Sequence, residues 1–245
     1  MTPPSTTSLQ ICSYNIHKGF STSNRHFLLD DIREAIRAID ADVVFLQEVM
    51  GENKQRSDKS SSNQFEFLAD SIWPHYAYGR NAIYDQGHHG NAILSKHSFL
   101  LFENYNVSRW NFSRRGVLLG QVSTGIYLVC VHFGLFAAER KAQLDALAEI
   151  LKRFVPRDAP LIIAGDFNDW TGRLNPLIKE KLHVKEAYSE IFGKLPKTFP
   201  GMMPLLPTDR IYFRNLQLES ATVLSGSPWR RLSDHCALSA RFALT

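Results

Sequence analysis

Cysteine is scarce. Only Cys12, Cys130 and Cys236 occur, at irregular spacing and with no CxxC pair. An odd, scattered set builds neither a disulfide framework nor a structural zinc site, so the three read as small buried hydrophobes. No apolar run approaches the ~20 residues needed to span a bilayer. The opening Met1-Thr2-Pro3-Pro4 has neither the basic nor the apolar region of a secretory signal. A cytoplasmic protein is expected. Repeats, low-complexity tracts and Pro- or Gly-rich linkers are absent as well, which points to one domain over residues 1–245. Charge of either sign is not in large excess: 28 basic against 24 acidic residues leave +4, which tolerates an anionic substrate without demanding one. Apolar and aromatic residues are plentiful, at 44% hydrophobic with 16 Phe, 8 Tyr and 4 Trp, and this excludes a disordered or fibrous chain.

Short apolar runs alternate with amphipathic stretches. Leu9–Tyr14, Val43–Leu46, Asn91–Leu94, Val117–Val122, Ile126–Val131, Leu161–Ala164, Ile211–Phe213 and Ala237–Ala243 predict strands, several apolar throughout and so covered on both faces. Arg25–Ile39 predicts a helix capped by Asn24, with Phe27, Leu28, Ile32, Ala35, Ile36 and Ile39 on one stripe. Ala138–Val155 predicts a second, with Leu144, Leu147, Leu151 and Phe154 inward and Glu139, Arg140, Lys141, Asp145, Glu149 and Lys152 on a solvated face. Phe65–Trp73 is a shorter candidate. Residues 1–8 are expected to be disordered, 51–63 to form a mobile polar loop, and Pro196–Pro207 a loop rich in Pro, Met and Leu. Two packed sheets flanked by helices are expected.

The informative residues stand where these strands end. Ser13-Tyr14-Asn15, Phe45-Leu46-Gln47-Glu48, Val131-His132, Gly165-Asp166-Phe167-Asn168, Thr208-Asp209-Arg210 and Ser233-Asp234-His235 each run from an apolar stretch into acids, amides or imidazoles. Strand ends hold side chains rigidly, as active sites require. Period-two geometry places Asp166 and Asn168 on one face with Phe167 on the other. An Asx-turn would account for one of the pair but not both. Asn15 and Glu48 offer hard oxygen ligands suited to Mg²⁺, with Mn²⁺ as a substitute. An imidazole acting as base needs an orienting carboxylate, and Asp209 or Asp234 could supply it to His235. His132 is a second imidazole at a strand end.

This ordered set resembles the endonuclease/exonuclease/phosphatase superfamily, which includes pancreatic deoxyribonuclease, abasic-site endonucleases, neutral sphingomyelinases and inositol polyphosphate 5-phosphatases. The likeness runs from Leu9 to Phe242. It implies an α/β four-layer sandwich, two mixed β-sheets with helices outside, and a metal-dependent phosphoester hydrolase. By the same resemblance Glu48 is a Mg²⁺ ligand, with Asn15 and Asp234 as direct or water-mediated ligands. Asp166 and Asn168 resemble the pair that handles the attacking water and the phosphate. His235 resembles the histidine bonded to a carboxylate, here Asp209. His132 falls where deoxyribonuclease- and sphingomyelinase-like members carry His and abasic endonucleases carry Tyr. Either Asp166 or His235 could take the proton.

The substrate is less legible. Ser13-Tyr14-Asn15 and His132 depart from the abasic-endonuclease pattern, and Gly90-Asn91-Ala92-Ile93-Leu94-Ser95 with His132, Glu139, Arg140 and Gln143 resembles the sphingomyelinase and other non-repair branches. Asn91, Arg115 and Arg230 are the candidate substrate-binding residues, the arginines lying in the basic-aromatic segments 109–115 and 229–231. Phe199–Pro207, if exposed, would present an apolar rim to lipid tails or a membrane surface. If folded inward, it would wall the site. His88-His89 reads as part of a flexible loop. A phosphodiesterase acting on a phospholipid or other non-repair phosphodiester, peripheral at a membrane, is expected ahead of a DNase-like nuclease or a non-catalytic binding module, because no catalytic-looking position is missing.

Overall fold

The computed structural model describes residues 7–21, 26–53, 64–69, 73–84 and 87–244. Asn24, the expected helix cap, lies outside them, as do residues 1–6 and 54–63 of the two expected flexible segments. Thr7 and Ser8 are already in the first strand, and Gly51–Asn53 prolong the second.

The first sheet contains β1 (Thr7–Asn15), β2 (Val43–Asn53), β3 (His75–Tyr84), β4 (Gly87–Ser95), β11 (Gln217–Leu224) and β12 (Ala237–Leu244), in the order β11-β12-β1-β2-β4-β3. The second contains β5 (Phe99–Asn106), β6 (Gly116–Val122), β7 (Tyr127–His132), β8 (Leu161–Asp166), β9 (Lys185–Glu186) and β10 (Asp209–Arg214), in the order β5-β6-β7-β8-β10-β9. Each sheet holds one parallel pair, β1–β2 and β7–β8, joined through α1 (Leu29–Ile39) and α3 (Ala137–Phe154) respectively. The other helices are α2 (Gln64–Ala69), α4 (Leu174–Leu182), α5 (Ala187–Phe192) and α6 (Trp229–Leu232).

Period-two alternation builds three apolar layers. Leu9, Ile11, Val43, Phe45 and Ile93 of one sheet face Leu118, Leu128, Ile162, Ala164 and Ile211 of the other. The alternate residues Cys12, Tyr14, Val44 and Leu46 pack on Ile32 and Ile36 of α1 and on Trp73. Val129, Val131, Leu161 and Ile163 pack on Leu144, Leu147 and Leu151 of α3 and Ile178 of α4. Both faces of the central strands are covered, which is why they read as unbroken apolar runs. The result is the expected four-layer α/β sandwich.

Four expectations need correction. Phe154, expected inward, is exposed at the end of α3 beside the Tyr105 ring. Glu139 is fully buried, not solvated, because the first turn of α3 tucks under the 133–136 segment. There Gln143 donates to Glu139 Oε1 and accepts the Gly134 N–H at 2.8 Å. His88 and His89 stand in β4, and Tyr78 Oη lies 2.9 Å from His88 Nδ1. Phe27 and Leu28 precede α1 rather than lying in its stripe, because the helix begins at Leu29.

Candidate active site

The carboxyl ends of the two parallel pairs meet where Asn15 of β1 reaches Asp166 of β8, and open α/β sheets bind ligands at such ends. In the second sheet, His132 pairs with Asp166 and Asp166 with Asp209, so three neighbouring strands contribute one row of polar side chains. Gly165 makes this row possible. Its φ is 146°, and a Cβ there would collide with the Val131 carbonyl.

Asp166 is buried at the centre. Its Oδ1 accepts the Asn168 N–H at 2.8 Å, an Asx-turn that holds Asn168 at φ 49°. Its Oδ2 accepts from Asn15 Nδ2 at 3.2 Å and faces His132 Nε2 at 3.6 Å and His235 Nε2 at 3.8 Å. The turn and the paired acid–amide function are therefore one arrangement. Asn168 Nδ2 donates to the Phe133 carbonyl at 2.9 Å, which also accepts from Arg115 Nε at 3.2 Å.

His235 is fixed from behind. Its Nδ1 lies 2.8 Å from Asp209 Oδ2, which also accepts from Thr198 Oγ1 at 2.6 Å and Thr208 Oγ1 at 2.8 Å. Of the two carboxylates expected to orient His235, Asp209 makes the contact. Burial opposes a charged His235, but the Asp209 and Asp166 carboxylates outweigh it and raise its pKa. Burial and the Asp209 charge push Asp166 up, against the opposing pull of His235. Burial and the Arg115 charge drive the His132 pKa well below the ordinary range, against the opposing pull of the Glu48 carboxylate.

Glu48 reaches the site by an irregularity. Leu46 pairs with Ala92 and Val49 with Gly90, so Gln47 and Glu48 together oppose Asn91. This bulge leaves Glu48 at φ 57°, a left-handed conformation costly for a residue with a Cβ. Burial pushes its carboxyl up, but His132, Lys18, His89 and His17 outweigh burial and hold it at about 2. Lys18 Nζ lies 3.6 Å from Glu48, and His17 Nδ1 lies 3.6 Å from Asp234. His17 and Lys18 are themselves left-handed, at φ 46° and 57°.

Glu48, Arg115, His132, Asp166, Asn168, Asp234 and His235 line one cleft of about 240 Å³, walled by Leu135, Trp170, Phe199 and Thr208. Asn15 and Asp209 are buried and act on the lining residues through hydrogen bonds. Asn91 is elsewhere. It is buried between the sheets, and its Nδ2 donates to the carbonyls of Gly116 at 3.1 Å and Cys130 at 3.3 Å. Arg230 is exposed on α6 and outside the cleft lining. Both therefore depart from the expected substrate contacts: the amide of Asn91 is spent on tying the sheets together, and Arg230 turns to solvent. A larger groove of about 490 Å³ lies where α3 and α4 end. There Arg214 donates to the carbonyl of Leu182, the last residue of α4, and to that of Pro156.

Among the described residues, Asp166, Asp209 and His235 present ligand atoms within 4.8 Å of one another. Asp209 Oδ2 already meets Thr198, Thr208 and His235, while its Oδ1 is buried without a hydrogen-bond partner among the described residues. Glu48, Asp166 and Asp234 are the carboxylates among the residues that line the cleft. Sequence reasoning missed Thr198, Lys18 and His17, and only the adjacency of Thr208 to Asp209 hinted at the hydroxyl pair.

A four-layer sandwich with a carboxylate–imidazole cleft at its strand ends defines a phosphoesterase fold, and the chain belongs to the Endonuclease/Exonuclease/phosphatase family, whose model matches residues 12–235. It is 42% identical over 97% of both chains to the uncharacterized protein YbhP of Escherichia coli K12. Among solved structures it is similar to an endonuclease/exonuclease/phosphatase from Beutenbergia cavernae, with TM-score 0.77 and 20% identity over 97% of this chain and 72% of that one. It is similar as well to D. rerio TDP2 complexed with a single-strand DNA product, with TM-score 0.71 and 19% identity over 97% of this chain and all of that one. At those identities the likeness is one of fold. No helix among the described residues is long and apolar enough to cross a membrane.

Proposed function

We propose that this chain is a Mg²⁺-dependent phosphodiesterase acting on a phospholipid. The observation that carries the reading is the buried Asp166 carboxylate, held between His132 and His235 in a cleft that also presents Arg115 and Asn168. A buried carboxylate with a raised proton affinity is a base matched to water. In the proposed reaction a water oxygen bonds to phosphorus as its proton passes to Asp166, the bond from phosphorus to the ester oxygen breaks, and the departing alkoxide takes a proton from solvent water to leave as the alcohol. His235, kept charged by Asp209, donates from Nε2 to a phosphoryl oxygen, and Arg115 neutralises another. His132, across Asp166 from His235, offers a further hydrogen bond.

The donor chemistry fits a hard divalent cation. Glu48 is ionised, Asp234 stands beside it in the cleft lining, and no thiolate is near. Glu48 and Asp234 would hold the ion, with Asn15 as a further ligand, and the ion would supply charge neutralisation at the phosphoryl oxygens. Lipid is favoured over nucleic acid by the exposed apolar side chains of Leu135 and Trp170 at the cleft itself. The test is turnover of a soluble short-chain phosphodiester, a short-chain phospholipid below its aggregation threshold, and supercoiled plasmid. Each is run with Mg²⁺, with Mn²⁺ and with chelator, and with His235→Ala as the contamination control. Metal-dependent phospholipid cleavage absent from the variant supports the reading. Plasmid nicking lost in the variant, with the lipid untouched, replaces it with a nuclease, and silence on every substrate would point to a binding module.

A further inference from the structure

The cleft is flanked by two apolar prominences, and each starts from residues that line it. The first is the tip of the β5–β6 hairpin. Beyond the strands the ladder continues from the Val107 N–H to the Arg115 carbonyl and closes in a tight turn, Ser113 N–H to Trp110 carbonyl. Trp110 and Phe112 stack at 5.5 Å, and Phe136 meets Trp110 edge-on at 5.4 Å. Phe112 is nonetheless 76% exposed and Phe136 53%. This knob joins the cleft through Arg115 at its base and through Leu135, the neighbour of Phe136. The second prominence follows Phe199, another lining residue. Its turn closes from the Met203 N–H to the Pro200 carbonyl and leaves Met202, Met203 and Leu205 half exposed or more. The expected apolar rim of 199–207 is therefore turned outward.

Large side chains rarely stay in water in such groups unless a surface covers them. The charges beside these select the surface. Arg109 and Arg114 are exposed on either side of the knob, residues 107–115 contain no acid, and residues 199–207 contain no charge at all. An apolar knob ringed by guanidinium groups suits an anionic bilayer, where rings enter the acyl boundary and arginines meet headgroups. Single-stranded nucleic acid is a poorer occupant. Trp110 and Phe112 each turn one face to the other, and the methionine turn offers no ring on which a base could stack.

We infer that the hairpin tip at Trp110–Phe112 with Phe136, together with the Met202–Leu205 turn, docks the protein on an anionic lipid surface and presents the cleft to headgroup phosphates. The inference rests on the phospholipid reading for the cleft's substrate, but the docking surface can be measured without turnover. The experiment is co-sedimentation with phosphatidylcholine vesicles and with vesicles containing phosphatidylglycerol, for the parent and the variants Phe112→Ser/Phe136→Ser, Met202→Ser/Met203→Ser and Arg109→Gln/Arg114→Gln. All replace exposed side chains, and circular dichroism with turnover of the soluble phosphodiester shows that fold and cleft are intact. The parent is expected to prefer the anionic vesicles. Each apolar double variant should lose about tenfold or more in partitioning, and the arginine variant should lose the preference for anionic lipid. Equal binding by parent and Phe112→Ser/Phe136→Ser, no binding by the parent, or tight binding of single-stranded DNA abolished by the same substitutions would each overturn the inference. Vesicle binding without turnover of any phosphodiester would leave docking standing and remove the catalytic reading instead.

Discussion

Glu48 combines a strained backbone with the carboxylate proposed to hold the ion, so two substitutions separate the two. At φ 57° in the β2 bulge, a residue with a Cβ costs about 1–2 kcal/mol that glycine avoids. Glycine gives back about 0.5–1 kcal/mol through the entropy of the unfolded chain. Glu48→Gly should therefore be more stable than Glu48→Ala by about 0.5–1 kcal/mol, the reverse of the order in a relaxed strand. In a chain of this size that is about 1–4 °C in Tm. Both variants lose the Lys18 contact, worth no more than about 1 kcal/mol at a partly exposed site, and this cancels in the comparison. Both should also lose turnover by at least ~10²–10³, the usual consequence of removing one group that stabilises transition-state charge. Thermal and urea unfolding in chelator, beside initial rates in Mg²⁺, measure the two quantities. If Glu48→Ala proved as stable as Glu48→Gly, the bulge would not be strained. If either variant kept parental rates, Glu48 would not belong to the catalytic machinery.

Asn91→Ala removes the buried donor shared by the Gly116 and Cys130 carbonyls and should cost about 1–3 kcal/mol in urea unfolding. Its KM for the soluble phosphodiester should stay put, whereas a raised KM at unchanged stability would return Asn91 to the substrate. Glu186 is buried at the start of α5, where its carboxylate accepts the Tyr188 and Ser189 N–H groups, and burial raises its pKa. A carboxyl raised on folding stabilises fully below its unfolded value, and that contribution is lost as pH rises through the folded value. The parent should thus lose stability relative to Glu186→Gln on going from pH ~4 to pH ~7. A difference that is flat with pH, or of opposite sign, counts against the burial argument.

The strands that were legible are those covered on both sides. β1, β2, β4, β6, β7, β8, β10 and β12 announce themselves as apolar runs or clean alternation. β3, β5 and β11 do not, because each lies at a sheet edge and mixes polar with apolar residues, as Phe99–Asn106 does with its exposed Leu100, Leu101 and Phe102. The short α4 passed unnoticed, with Pro176 interrupting its pattern. In the site, His132, Asp166, Asp209 and His235 were visible as polar residues ending apolar runs. The φ values that aim Glu48, His17 and Lys18 were not, since a bulge without glycine leaves no mark in composition and Gly19 marks a turn without showing that the two residues before it are left-handed. Glu139 was misread because charge alone suggests solvent, and only the loop packed over α3 makes it a buried acceptor.

Two hydrogen bonds at the cleft cross from one sheet to the other. Asn15 closes the first strand of one sheet and reaches Asp166 in the other, and His235, just before β12, reaches Asp209 at the head of β10. The site is thus an alignment gauge for the whole sandwich. A slip of one sheet past the other by a fraction of an ångström detunes the row at His132, Asp166 and Asp209 long before the fold comes apart. Residues of the inner layer, such as Phe45 and Ile162, hold the two halves of the cleft in register from a distance, in the way a bearing sets the run-out of a shaft. The tolerance that mutation must respect in that layer is narrower than stability alone would impose.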